Sequence, residues 1–268
     1  MTRLAVVIVA VLALGPAAAE PPARPQIAII IDDLGYQRRA GERVIALPGP
    51  VACAILPGTP SGEVLARAAR SSRKEVLLHL PMQAADPPRR AEPGMLSLDM
   101  DRAEVAAALD AALAEVPYAI GVSNHRGSLL TQQATHMQWL MEALGARERL
   151  FFVDSYTTHR SVAMRTARGN GVQAVRRDVF LDDDPSVDRI REEFERLKRL
   201  ARERGAAIAI GHPYDATLGF LETALPSLVD EGFDLVPISV LVTNPAAFAY
   251  SKTMTGPTGS GLTEMLDD

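Results

Sequence analysis

Cysteine and aromatic side chains are scarce in this chain of 268 residues, which has one cysteine, Cys53, and 5% Phe, Trp and Tyr together. A single thiol excludes an intrachain disulfide and every thiolate-rich metal site, so any metal must rest on His, Asp or Glu. With so few aromatics there is no ladder of ring faces from which a sugar-stacking surface could be read. Positive charge is short as well: 28 Lys and Arg stand against 33 Asp and Glu, net −5. That acidic balance argues against a nucleic-acid binder, which normally carries a basic, phosphate-neutralising face. What is present is 47% apolar residues, enough for a sizeable core without covalent staples.

The N-terminus reads as a secretory signal. Arg3 precedes an uninterrupted apolar run over residues 4–14, and Gly15-Pro16-Ala17-Ala18-Ala19 supplies the small residues that a signal peptidase reads, placing cleavage after Ala19. The alternative is an uncleaved anchor, but the run is well short of the roughly 20 residues that cross a bilayer. The expectation is therefore a bacterial periplasmic or secreted protein with no stable membrane anchor once residues 1–19 are removed.

After a Pro-rich lead over residues 20–25, short apolar runs alternate with amphipathic stretches. The runs at 26–31, 51–56, 75–80, 118–122, 150–153, 179–181, 207–210 and 235–238 are brief, rich in Ile, Val and Leu, and end at polar or turn residues, as buried strands do. Between them, Val105, Leu109, Leu113 and Val116 recur at helical spacing from Asp101, and 131–144 is a second candidate helix. Over 186–204, Val187, Ile190, Phe194, Leu197 and Ala201 form one face. On the other, Glu192/Arg196 and Glu195/Arg199 are spaced to pair four apart, and Gly205 ends the helix as a C-cap. The alternation predicts one α/β domain over 26–245, an open parallel sheet or a (β/α) barrel, with a loose tail over 246–268.

Polar residues sit where these strands end. Ile29-Ile30-Ile31 runs into Asp32-Asp33-Leu34-Gly35, and Val76-Leu77-Leu78 into His79-Leu80-Pro81-Met82. Ser123-Asn124-His125-Arg126 follows Gly121-Val122, Asp154 follows Val153, Asp182 follows Leu181, and His212 follows Ile210-Gly211. In parallel α/β folds these carboxyl ends converge on one rim, where active sites lie. Adjacent carboxylates and three histidines gathered there call for a divalent cation. Taken singly, each has a plainer use. Asp32 and Asp33 could cap a helix, His79 could be a hydrogen-bonded core residue, and Asp183 and Asp184 suit the N-terminus of the 186–204 helix. His136, in the candidate helix from Thr131, and His159, in a polar loop, read as surface or structural, and Trp139 as core. Only the joint placement of the others argues for a site.

The ordered segments Ile-Ile-Asp32-Asp33-Leu-Gly, Leu-His79-Leu-Pro-Met, Asn124-His125-Arg-Gly-Ser, Val-Asp154-Ser and Ile-Gly-His212-Pro resemble the divergent polysaccharide deacetylase family. That family is a remote branch of the NodB-type carbohydrate esterases. The resemblance spans residues 26–242 and implies a distorted (β/α) barrel of about seven strands. It also implies metal-dependent removal of N- or O-acetyl groups from an envelope or extracellular glycan, such as peptidoglycan, with zinc as the expected cation. It assigns Asp32 as general base, Asp33 as metal ligand and His212 as general acid. The family's His-x-x-x-His segment is broken, because Gln83 stands four residues after His79, and His125 is the candidate replacement ligand. The Arg-x-Pro-Tyr motif is absent, and Asn124 with Arg126 is expected to occupy part of its space. Asp154 and Asp182 are expected to orient histidines, a backbone N–H near Leu56 or Gly58 to receive the oxyanion, and Tyr214, ahead of Tyr36 and Tyr156, to meet the sugar. Two other classes stay open: an inactive glycan-binding or scaffold protein of the envelope, and a metal-dependent phosphoesterase.

Overall fold

The computed structural model describes residues 24–86, 92–147 and 149–244. The expected signal, most of the Pro-rich lead, Pro245 and the tail lie outside the described residues. Nine strands and eight α-helices alternate along the described chain. The strands are β1 (Gln26–Leu34), β2 (Ala52–Ile55), β3 (Val76–Met82), β4 (Ala119–Arg126), β5 (Phe151–Asp154), β6 (Ala174–Arg176), β7 (Val179–Phe180), β8 (Ala206–Gly211) and β9 (Asp234–Leu235). The helices are α1 (Arg38–Ala46), α2 (Gly62–Ser71), α3 (Arg102–Glu115), α4 (Ala134–Gly145), α5 (Ala163–Gly169), α6 (Val187–Arg204), α7 (Asp215–Ser227) and α8 (Ile238–Thr243).

All pairings between strands are parallel, in the order β6-β5-β4-β3-β2-β1-β8-β7. The two ends of this sheet, β6 and β7, are parts of one segment interrupted by Arg177 and Asp178. The Arg177 N–H donates to Asp154 O of β5 at 3.0 Å and the Asp178 N–H to Ile208 O of β8 at 2.9 Å. One stretch of chain thus leaves one neighbour for the other and curls the sheet into seven strand positions, a distorted (β/α) barrel.

Alternation sorts side chains between two apolar layers. Ala28, Ile30, Ala52, Ala54, Leu77, Val153, Ala206, Ile208 and Ile210 face the barrel interior, and its amino end is closed by Ile238, Leu241 and Val242 of α8. Ile27, Ile29, Ile31, Leu78, Phe152 and Ala207 face outward under the helices. The expected strand at 235–238 is therefore corrected: only Asp234–Leu235 pairs with β1, and Ile238 opens the helix that plugs the barrel. Helix α3 begins in a capping box, with Asp101 accepting from the N–H groups of Ala103 and Glu104, and α6 stops at Gly205, whose φ of 84° suits a residue without Cβ. The charge pairs of α6 differ from expectation by one residue. Most close three apart, Arg189 with Glu192, Glu193 with Arg196 and Glu195 with Lys198, and Arg189 also lies 3.9 Å from Glu193, four apart. Cys53 is fully buried, and burial pushes its thiol up to about 12, so it serves as a small apolar filler. Among the described residues, no helix is long and apolar enough to cross a membrane.

Candidate metal and proton-transfer site

The interior faces of β1, β3, β4 and β8 run out of apolar residues at the carboxyl rim and continue as polar ones. Parity makes the succession Ala28, Ile30, Asp32 on β1; Leu77, His79 on β3; Ser123, His125 on β4; and Ile208, Ile210, His212 at the end of β8. On an unbroken strand Asp33 would point away from Asp32. Here the register with β2 slips between Ile31 and Leu34, and Asp33 takes φ 59°, a bulge that turns both carboxylates to the rim. Arg126 and Tyr156, at the ends of β4 and just past β5, also hold positive φ, of 57° and 51°. Three of the six described non-glycine residues with positive φ thus sit where strands hand over to the rim loops; Arg73, Tyr118 and Arg149 lie before β3, β4 and β5.

Three donor atoms meet at this rim. Asp33 Oδ1 lies 2.8 Å from His125 Nδ1 and 3.2 Å from His79 Nε2, and the two nitrogens are 3.2 Å apart. These separations are close to the edge of about 3.3 Å of a tetrahedron built with bonds of about 2.0 Å, the length zinc makes to imidazole and carboxylate. Asp33 Oδ1 is buried yet finds no well-directed hydrogen-bond partner among the described residues. The Asp33 oxygen and one nitrogen of each imidazole thus lie close enough together to share one ligand. The residues fit a divalent cation, as their spacing and donor types require. Burial alone would raise the Asp33 carboxyl, but His125 and His79 outweigh it and hold it well below the ordinary range. His125 is raised despite its burial, because Asp33 lies against it. His79 Nδ1 is 2.8 Å from Ser123 Oγ, its partner in the β3–β4 register, which fixes the ring.

Beside this cluster Asp32 is 2% exposed, with Oδ2 3.5 Å from His79 Nε2 and Oδ1 without a partner among the described residues. Burial raises its carboxyl even though His79 and His212 pull the other way. Across from it His212 points Nε2 toward Asp33 Oδ2 at 3.8 Å. Its Nδ1 lies 2.9 Å from Asp182 Oδ1, and its backbone N–H donates to Asp182 Oδ2 at 2.7 Å. The Thr217 hydroxyl donates to the same oxygen at 2.7 Å. Burial opposes protonation of His212, but Asp182 prevails and lifts it to about 9. The ring is flanked by Phe180 and by the half-exposed Tyr214, with centroids at 5.1 and 5.5 Å.

Not every expected residue reaches the site. Asp154 follows the inward Val153, so it faces outward, accepting from the Tyr156 N–H at 2.9 Å and the Ser161 hydroxyl at 2.7 Å; it orients a loop, not a histidine. Asn124, between the inward Ser123 and His125, has the same wrong parity. It donates to Arg126 O at 2.7 Å and accepts from the Ser155 N–H at 2.9 Å, tying β4 to β5. Arg126 turns its guanidinium to Glu92, with Nε 3.5 Å from Oε1. The expected oxyanion donors are spent: Leu56 N–H donates to Leu34 O at 2.9 Å and Gly58 N–H to the Glu115 carboxylate. Gln83 is turned away, its Oε1 accepting from the Leu98 N–H at 2.8 Å.

Four neighbours of the site escaped the sequence reading: Glu92, Ser123, Thr217 and Arg177. Ser123 was open to discovery, because it is inward by parity two residues before His125. Arg177 is half-buried at the joint between β6 and β7, donating to Ser155 O and Tyr156 O at 2.7 and 3.1 Å, and lines a pocket with Tyr156, Thr157, Phe180 and Asp183.

A parallel barrel with a carboxylate–imidazole cluster at its carboxyl rim defines the structural class. The chain belongs to the divergent polysaccharide deacetylase family, whose model matches residues 29–242. It is 38% identical over 229 residues to the uncharacterized protein YibQ of Escherichia coli, covering 85% of this chain and 71% of that one. The uncharacterized protein ATU2773 of Agrobacterium tumefaciens shares the fold, with TM-score 0.78 and 22% identity over 84% of this chain and 92% of that one. A T48 deacetylase solved with substrate has TM-score 0.51 and 11% identity over 82% of this chain and 92% of its own. The protein is thus a polysaccharide deacetylase-like barrel.

Proposed function

We propose that this protein is an exported, metal-dependent hydrolase that removes N- or O-acetyl groups from an envelope glycan such as peptidoglycan. The observation that carries the reading is the triangle of Asp33, His79 and His125 set opposite the His212–Asp182 pair, with Asp32 between them. Asp33, His79 and His125 would hold a divalent cation, zinc by its liking for imidazole, which when bound polarises a carbonyl and lowers the pKa of water from 15.7 to about 7. Asp32, made more basic by burial, takes the proton from the attacking water. His212, kept charged by Asp182, donates a proton to the departing amine or alkoxide as acetate forms. Tyr214 and the pocket beneath Tyr156 and Phe180 border the reacting position and suit a pyranose face and its hydroxyls. Export rests on residues 1–19, read as a cleaved signal that delivers the chain to the periplasm or beyond.

The test is acetate release from chitooligosaccharides, peptidoglycan fragments and acetyl xylan, with and without chelator, beside elemental analysis of the purified protein. Chelator-sensitive acetate from at least one substrate is expected, with about one zinc-like ion per chain. No acetate from any of them and no bound metal would end the hydrolase reading in favour of an inactive glycan-binding protein.

A further inference from the structure

His125 presents its Nδ1 to the ligand triangle, whereas His79 presents Nε2. A ligand imidazole that uses Nδ1 carries its proton on Nε2, and that N–H needs an acceptor to hold the ring in one orientation. Glu92 Oε2 lies 3.5 Å from His125 Nε2. This oxygen is buried and has no hydrogen-bond partner among the described residues, so it is an uncommitted acceptor within 3.5 Å of that nitrogen. On its other side Arg126 Nε, 3.5 Å from Oε1, supplies the countercharge.

The segment that brings Glu92 here is fastened to the end of β3. The Leu96 N–H donates to Pro81 O at 2.9 Å, the Gln83 N–H to Leu96 O at 2.8 Å, and the Leu98 N–H to the Gln83 side chain at 2.8 Å. The residue four positions after His79 is therefore an anchor for this segment, and the segment delivers a carboxylate to the replacement histidine.

We propose that Glu92 is a positioning residue for the metal: it fixes the Nδ1-binding tautomer and orientation of His125, and with it the affinity of the site. The proposal rests on the metal-dependent reading given above. Its test is Co²⁺ titration of the purified protein, following the visible ligand-field bands and competition with a chelator, so that no turnover is required. Glu92→Ala is expected to weaken Co²⁺ binding about 10–100-fold and to perturb the bands, the usual cost of losing such a partner. Glu92→Gln, whose amide oxygen can still accept from Nε2–H, should recover most of the affinity, and His125→Ala should lose more than either. Circular dichroism and thermal melting show whether each variant folds. Should Glu92→Ala fold yet bind Co²⁺ within twofold of the parent with unchanged bands, Glu92 has no such role, while acetate release by the parent would leave the deacetylase reading standing. A parent protein that binds neither Co²⁺ nor Zn²⁺ overturns both.

Discussion

On the β1–β3–β4 side of Asp32, three donor atoms crowd within 3.2 Å and Asp33 Oδ1 is left without a well-directed partner among the described residues. On the β7–β8 side, Asp182 accepts from a ring nitrogen, a backbone N–H and a hydroxyl, so its carboxylate is surrounded by donors. Both sides pair Asp with His at the end of parallel strands. They differ in how the carboxylate is partnered. Three donors on one carboxylate make a proton-holding pair that is complete as folded; a carboxylate oxygen and two imidazole nitrogens within 3.2 Å, one from each strand, make a set of ligand atoms that a cation would complete. The metal proposed above accounts for the first side and is not needed for the second.

The strongest way to break this contrast is to remove a donor from each side in turn. Asp33→Ala or His79→Ala should lower Zn²⁺ affinity beyond the roughly 100-fold upper range of an outer-sphere change, and abolish acetate release with it. Equilibrium dialysis reads the first and an acetate assay the second; a variant that keeps full metal would mean the triangle is not a ligand set. His212→Ala should instead retain metal and lose turnover by about 10²–10⁴, the contribution of one general acid. If it lost metal as readily as Asp33→Ala, the two sides would be one.

A subtler change should make the proton side resemble the metal side. Thr217→Val removes one donor from Asp182 at nearly constant volume, in a fully buried position. A hydrogen bond to a charged group contributes about 1.5–3 kcal/mol, so urea denaturation should show a loss of that order with Zn²⁺ affinity unchanged. No shift in the midpoint would show that Asp182 does not depend on its third donor.

The smallest effect concerns Asp154, which serves neither side. Burial raises its carboxyl above the ordinary 3.8, more than Ser161 and the Tyr156 N–H lower it. The folded chain keeps this proton at a pH where the unfolded chain has lost it. Its contribution to stability is therefore full below about 3.8 and disappears as pH rises through the folded value. Asp154→Asn cannot titrate, so the fall in stability between pH 4 and pH 7 should be shallower than in the parent, measured by urea denaturation at each pH. Equal slopes would show that this carboxyl is not strained by burial.

Much of this architecture could be read along the chain, and the errors have a common cause. The apolar runs located the strands because buried parallel strands are continuous and short, and polar residues at their ends marked the rim. Asp154 and Asn124 were misplaced because proximity to a strand end was weighed without parity: each is one residue out of step with Val153 or His125. Parity would have failed at Asp33, where a left-handed residue puts two consecutive carboxylates on one face. Helices such as α2 were harder to see, since its inner face is Leu65, Ala66 and Ala69, and alanine gives little hydrophobic contrast.

The amino-acid sequence by itself determined the alternation of strand and helix, the carboxyl rim, and the residue types that could hold a cation or move a proton, because burial and chain periodicity act locally. Only the tertiary structure decided which of those groups meet. The His79–Ser123 and His212–Asp182 contacts join residues 44 and 30 apart, and the Glu92–His125 contact depends on Gln83 fastening a loop. Such contacts are set by parallel register, by the bulge at Asp33 and by the single segment that carries β6 and β7. Ångström-scale convergence of side chains is a property of packed strands, and no local pattern records it.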